Sequence, residues 1–226
     1  MGETVRLASA ADGFAFPAWR EPAADARRGG LVILHAIWGV TPHLRELAGH
    51  YAGIGYEALV PNLLERMEPG FANRDTDDTL MQRRMTFGRA TGWGAQVLDL
   101  VQAAIDALDP PVFCLGFCFG GTAAWLAAAR CTGLSAVACY YGGQIIDYRD
   151  ETPKVPTILH MGKLDDLTPP ADIEAIRAAH PDLPVFMYEA GHAFVAPSGR
   201  HDESARLAEL RTLALFSRNS GVRAEM

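Results

Sequence analysis

Apolar runs and polar breaks alternate along this chain in a way that sets its fold class before any motif is considered. Val5 to Leu7 and Phe14 to Trp19 flank Asp12-Gly13, which predicts a short β-hairpin. Leu31 to His35 is apolar without alternation, the pattern of a strand buried on both faces of a parallel sheet. A helix is predicted next, with Thr41 as N-cap, Pro42 in its first turn and Gly53 or Gly55 near its end. Glu57 to Val60 reads as a strand stopped by Pro61. Asp75 to Leu108 is helical in pattern, interrupted near Gly88 to Gly94, and stops before Asp109-Pro110-Pro111. Further strands are predicted at Val112 to Leu115, Ala136 to Tyr141, Thr157 to Met161 and Val185 to Tyr188. Helices are predicted at Thr122 to Cys131, Ala171 to Ala179 and Asp202 to Phe216. Strands alternating with helices imply an α/β fold, a mostly parallel, doubly wound sheet with helices on both faces. No repeat, low-complexity tract or linker divides it, so residues 1–226 read as a single domain.

Composition narrows the function. Of 226 residues, 49% are hydrophobic, enough for a buried sheet and against disorder except after Ser217. The net charge is -7 and no run of Lys or Arg tracks phosphates, which argues against nucleic acid and an anionic membrane surface. No apolar stretch approaches the roughly 20 residues that span a bilayer. Met1 to Ser9 lacks the basic end and long apolar run of a secretory signal, so a cytoplasmic location is expected. The cysteines Cys114, Cys118, Cys131 and Cys139 sit in apolar or small-residue segments without metal-ligand spacing, and are expected as free thiols. No metal or cofactor is implied. The expected partner is a small molecule, and the chain a monomer or small homo-oligomer.

Chemistry enters at Gly116-Phe117-Cys118-Phe119-Gly120-Gly121, where a strand hands over to a helix. Glycines two before and two after the cysteine remove Cβ atoms that would collide in a tight turn. Such a corner lifts one side chain above the sheet edge, and the helix that follows aims its free N–H groups and positive dipole end at it. Alone, the segment reads equally well as a glycine-rich turn with a buried cysteine. Open α/β sheets bind ligands beyond the C-terminal ends of their strands, so partners are sought there. Thr157 to Met161 is followed by a loop holding Asp165 and Asp166, and Val185 to Tyr188 by a loop holding His192. A loop carboxylate is usually a helix cap and a loop histidine a bystander. Both, after the right strands and in the order nucleophile, acid, histidine, favour a catalytic site.

The sequence resembles the dienelactone hydrolase (carboxymethylenebutenolidase) family of α/β-hydrolases from Leu31 to Phe194. The resemblance rests on Ile37-Trp38-Gly39-Val40, Gly55-Tyr56, Val60-Pro61-Asn62-Leu63, Gly116 to Gly121, His160-Met161-Gly162 with Asp165 and Pro169, and Tyr188 to Phe194. It implies an α/β-hydrolase fold and an ester or lactone hydrolase with Cys118 as nucleophile, His192 as general base and acid, and Asp165 as the residue orienting the imidazole. It implies the backbone N–H groups of Ile37 and Phe119 as the oxyanion hole. Asp166 lies off the family position. The family carries a glutamate where this chain has Ala36, and two arginines that clamp a substrate carboxylate where this chain has Met81 and Ala196. Arg83, Arg84 and Arg200 are the arginines available to substitute, with Arg84 taken as the candidate. Trp38, Phe117, Phe119 and Phe194 are candidates for the apolar wall, though Phe117 and Phe119 fit the core as well. Trp93 and Trp125 read as core, and His43, His50, His180 and His201 as surface residues.

A thiol leaves a tetrahedral intermediate more readily than an alkoxide, so forward reaction needs a stabilised leaving group such as an enolate, phenolate or thiolate. A small enol lactone or similarly activated ester is therefore expected. The alternatives are a general carboxylesterase or thioesterase with an altered pocket, separated by a panel of leaving groups, and a non-catalytic ligand-binding or redox-sensing relative. Against the last, Cys118, Asp165 and His192 are all present.

Overall fold

The computed structural model describes residues 2–69 and 78–221. Among the described residues eight strands form one sheet in the order β1-β2-β4-β3-β5-β6-β7-β8. β1 (Glu3–Ala8) and β2 (Ala15–Glu21) make the N-terminal hairpin, and β2 joins the sheet antiparallel to β4 (Tyr56–Pro61). From β4 onward the neighbours β3 (Gly29–Leu34), β5 (Val112–Phe117), β6 (Leu134–Tyr140), β7 (Thr157–Gly162) and β8 (Val185–Tyr188) are all parallel.

Side chains alternate across a strand, so one buried strand feeds two cores. Val32 and Leu34 of β3 pack with Cys114, Val137, Leu159 and the helices α3 (Asp99–Asp106), α4 (Phe119–Arg130) and α5 (Pro170–Ala179). Leu31 and Ile33 face the other way, with Phe113, Ala138 and Ile158, onto α1 (Pro42–Gly53) and α6 (Asp202–Arg218). Phe113 of β5 stacks on Phe216 of α6, ring centroids 4.6 Å apart, and both are fully buried. Burying one such ring stabilises the fold by about 1.5–3 kcal/mol. This is the expected α/β-hydrolase architecture, helices on both faces of a doubly wound sheet.

Local capping follows the sequence. The Leu44 N–H donates to Thr41 Oγ1 at 3.3 Å, closing the start of α1. Two boundaries differ. The helix after the cysteine begins at Phe119 rather than Thr122, because the tight turn delivers its first residue straight into helical geometry. The long helical segment divides into α2 (Asp78–Thr91), a π-helical turn at Gly94–Leu98 and α3; Asp75 to Asp77 lie outside the described residues. Gly92 and Trp93 both take φ of 64° at the break. The Trp93 indole fills the space a Cβ at Gly88 would occupy, at 2.3 Å. α6 continues past Ser217 to Arg218. All four cysteines are free thiols, as expected; Cys114, Cys131 and Cys139 are buried, and burial pushes their pKa values up.

Two histidines are buried completely. His160 on β7 meets the Tyr188 hydroxyl at 2.8 Å and Thr212 Oγ1 at 3.0 Å; burial, then the Arg211 charge, depresses its pKa to about 3. His35 follows β3, and burial depresses its pKa to about 4 despite raising contributions from backbone acceptors. An unfolded histidine takes up its proton near pH 6.5, so below that value the unfolded state binds more protons and stability falls as pH falls. In urea unfolding these two histidines should contribute nearly two protons of slope, about 2.4 kcal/mol of stability lost per pH unit, between about pH 5.5 and 4.5. His160→Gln should remove about one proton from that slope; an unchanged slope would show that His160 is not neutral in the fold.

Candidate active site

The three residues singled out from sequence meet at the C-terminal edge of the sheet. Cys118 follows β5, Asp165 follows β7 and His192 follows β8. Cys118 takes φ 54°, ψ -112°, a conformation held because three close approaches around it admit only glycine. A Cβ at Gly116 would sit 1.9 Å from the Gly120 carbonyl oxygen; at Gly120, 2.2 Å from that of Leu34; at Gly121, 2.4 Å from that of Tyr140. The Cys118 N–H donates to the Tyr140 carbonyl at 3.0 Å, tying the corner to β6. Cys118 is half-buried, unlike the other three cysteines.

Asp165 is buried, and its Oδ2 lies 2.8 Å from His192 Nδ1. Burial alone would raise the carboxyl pKa. The hydrogen bond and charge of His192, with the Leu167 N–H at 2.9 Å, outweigh burial and hold it below the usual carboxylate range. Burial likewise opposes the imidazolium of His192. Hydrogen bonds to Asp165 and to Cys118 overcome it and raise its pKa to about 9. The imidazole is therefore held between carboxylate and thiol, with Nδ1 committed to Asp165. Asp166 is exposed.

Above the sulfur lies a cavity of about 300 Å³ bounded by Cys118, His192, Ala36, Ile37, Trp38 and Tyr141. Leu44, Met85, Phe117, Leu167, Val195 and Ala196 extend an apolar wall, and His43 and Ser198 add polar atoms. A smaller lobe of about 170 Å³ shares Ile37, Met85, Cys118, Leu167 and His192, and adds Phe119, Thr122, Arg89 and Gln144. Arg89 Nε donates to Asp147 Oδ2 at 2.6 Å, and Gln144 Nε2 to the Met85 carbonyl at 2.9 Å. Phe119 supplies the first N–H of α4, and among the described residues neither it nor the Ile37 N–H meets a protein acceptor. Both residues border the two-lobed space at Cys118.

The substrate contacts expected from the sequence divide in the fold. Trp38 lines the cavity and is 43% exposed. Phe194 is 0% exposed, packed among Tyr140, Tyr141 and Tyr188 behind the wall rather than on it. Arg84 is fully buried with Nη2 3.4 Å from Glu68 Oε2, and borders neither lobe. Arg83 is exposed, Arg200 pairs with Asp202 and Lys163 with Glu189. Sequence reasoning missed His43, Met85, Tyr141, Leu167, Arg89 and Gln144. Tyr141 sets its ring 5.0 Å from that of His192, and its position next to β6, which borders β5, was the one available signal. Among the described residues no group of His, Cys, Asp and Glu is placed to hold a metal ion, and no helix is long and apolar enough to cross a membrane.

Comparison with known proteins gives a consistent result. The model of the dienelactone hydrolase family matches residues 17–220. The carboxymethylenebutenolidase of Pseudomonas putida is 33% identical over 215 residues, covering 89% of this chain and 91% of that protein. A carboxymethylenebutenolidase of Pseudomonas sp. strain P51 is 30% identical, covering 85% and 87%. Among solved structures, the dienelactone hydrolase-like promiscuous phosphotriesterase P91 from metagenomic libraries superposes with TM-score 0.78 at 19% identity, covering 97% of this chain and 98% of that one. A Pyrococcus furiosus esterase superposes with TM-score 0.69 at 10% identity, covering 98% and 92%. At these identities the two structures speak for the fold alone.

His192 carries the prediction that follows from this geometry. Its folded pKa lies above the unfolded value near 6.5, so its contribution to stability is fully present below pH ~6.5 and is lost as pH rises through about 9. NMR titration of the His192 ring should show a midpoint near 9, and Asp165→Asn should lower it by at least about one pH unit. A wild-type midpoint near 6.5 would rule out the imidazolium reading.

Proposed function

The chain belongs to the dienelactone hydrolase family and is a hydrolase of activated esters or lactones, and from that premise we propose a mechanism in which Cys118 is the nucleophile. The observation that carries it is the convergence of Cys118 and His192 on one cavity, with His192 Nδ1 2.8 Å from the buried Asp165 carboxylate, which favours the imidazolium. Ala36 supports it further: the side chain bordering the cavity next to Ile37 offers no carboxylate to compete for the sulfur.

Thiolate Sγ adds to the carbonyl carbon, and the carbonyl electron pair moves to oxygen, facing the N–H groups of Phe119 and Ile37. Collapse re-forms the carbonyl and breaks the carbon–oxygen bond, expelling an enolate or phenolate that takes the His192 proton. The acyl group is then a thioester on Cys118. Neutral His192 removes a proton from water as the water oxygen adds to the thioester carbon. Collapse expels the thiolate and releases the acid, restoring imidazolium and thiolate. Because the thiolate is itself a good leaving group, only substrates with stabilised leaving groups pass the first step efficiently.

The lining of the larger lobe supports a neutral, apolar acyl group. A substrate carboxylate there would lose its water against Leu44, Phe117, Leu167 and Val195, a cost of several kcal/mol, and among the described residues no Arg or Lys borders that lobe to offset it. The small lobe, with Arg89 and Gln144, suits the polar leaving group.

Cys118→Ala should lower turnover of p-nitrophenyl pentanoate by at least about 10³-fold; full residual activity would overturn the cysteine mechanism. The wild type should prefer that ester to the near-isosteric mono-p-nitrophenyl succinate by more than about a hundredfold in kcat/KM, the leaving group being the same. Equal rates would refute the apolar-acyl reading alone. Ala196→Arg, which puts a cation on the wall, should narrow the gap.

A further inference from the structure

His35 is buried completely and borders neither lobe of the cavity, yet both of its ring nitrogens are engaged. Nε2 accepts the Leu63 N–H at 2.9 Å, so the remaining ring proton belongs to Nδ1. Nδ1 lies 2.6 Å from the Ala36 carbonyl oxygen and donates to it. That carbonyl is half of the peptide unit whose other half is the Ile37 N–H. In a planar trans peptide the C=O and N–H bonds point in opposite directions, so fixing one fixes the other. The Gly39 N–H reaches the same oxygen at 3.1 Å, so the ring of His35, the shorter of the two contacts, and the Gly39 turn together set where the Ile37 N–H points.

The same segment locates the second donor. Gly120, one residue beyond Phe119, lies so close to the carbonyls of Leu34 and His35 that a Cβ would stand 2.2 Å and 2.6 Å from their oxygens. The first turn of α4 therefore rests on the end of β3, and the backbone segments that carry the Ile37 and Phe119 N–H groups meet at His35. Leu63 N–H, the imidazole and the Ala36–Ile37 peptide form a head-to-tail chain of dipoles, which polarises its last N–H.

We propose that His35 is a positioning residue for the oxyanion hole, aiming and polarising the Ile37 N–H through the Ala36 carbonyl. The proposal rests on the reading of Cys118 as nucleophile, with Ile37 and Phe119 as the donors to the developing oxyanion. His35 touches no substrate and transfers no proton. It acts only where negative charge develops on the carbonyl oxygen.

That restriction supplies the test. Iodoacetamide alkylates the Cys118 sulfur without forming an oxyanion, whereas a trifluoromethyl ketone adds the sulfur to form a tetrahedral oxyanion. In His35→Leu, kcat for p-nitrophenyl pentanoate should fall about 10²-fold with KM changed by less than about threefold, and trifluoromethyl ketone affinity should fall in parallel with kcat/KM. The rate of Cys118 alkylation should stay within about twofold of wild type. His35→Gln, whose amide both donates and accepts, should recover most of the loss, and the shorter His35→Asn should not; this pair decides the matter if the leucine variant fails to fold. Unchanged kcat and ketone affinity in folded variants would overturn the proposal. So would alkylation falling in step with kcat, which would mark His35 as a packing residue for the whole site. Failure of the underlying reading shows separately, as wild-type turnover by Cys118→Ala.

Discussion

Everything at the candidate site depends on one steric constraint: the first turn of α4 touches three strands at once. Gly116, Gly120 and Gly121 approach the carbonyls of Gly120, Leu34 and Tyr140 at distances no Cβ tolerates. That contact places the half-buried Cys118 at the sheet edge with φ 54° and directs the start of α4 at the space above its sulfur. It also fixes the separation between α4 and the end of β3, from which the Ile37 N–H comes. A strained backbone of this kind costs of order 1–3 kcal/mol and persists because the surrounding sheet, buried on both faces, over-determines it. The core is what holds the strain in place.

Three histidines at this edge show how environment divides one side chain among different tasks. His35 and His160 are sealed in and kept neutral by desolvation. Neutrality is what lets an imidazole donate from one nitrogen and accept at the other, as His35 does between Ala36 and Leu63. His192 is only partly covered and sits between an anionic carboxylate and a thiol, so its charged form wins despite its burial. Exchanging these surroundings would exchange the roles.

Much of this was legible in the sequence, for a specific reason. The apolar run of β5, the glycines spaced around Cys118 and the Ala-rich stretch after it form one contiguous local pattern. Asp165 and His192 could be found because they follow predicted strand ends, and parallel sheets gather those ends at one edge. What depended on distant contacts was not legible. Phe194 reads as a wall residue until Tyr140, Tyr141 and Tyr188 are seen to enclose it. Arg84 reads as a spare cation until its burial beside Glu68 is known. His43 passes for a surface residue, yet its position in the first turn of α1 carries it onto the cavity. The π-helical turn is a tertiary effect, since Trp93 inserts over Gly88 and against Phe119 at 4.7 Å. His35 gives no signal at all, because its partner Leu63 lies on the neighbouring strand's exit.

The departures from the family pattern make sense together rather than singly. A carboxylate at position 36 would share the sulfur's surroundings with the negative end of any thiolate, and two adjacent anions raise each other's pKa. With alanine there, the proposed thiolate–imidazolium pair has one anionic partner, Asp165, on the far side of the imidazole where it stabilises the cation. The same alanine continues the apolar wall down to Cys118, alongside Ile37 and Trp38. Ala196 closes the opposite side with another methyl group. Beside this apolar wall the attraction between the proposed thiolate and imidazolium is less screened by water, which strengthens the pair. A cation installed to hold a substrate carboxylate would sit in that same lobe and compete for the thiolate's charge. A neutral acyl group needs no such cation, so the reactivity of the cysteine and the apolar lining support one another.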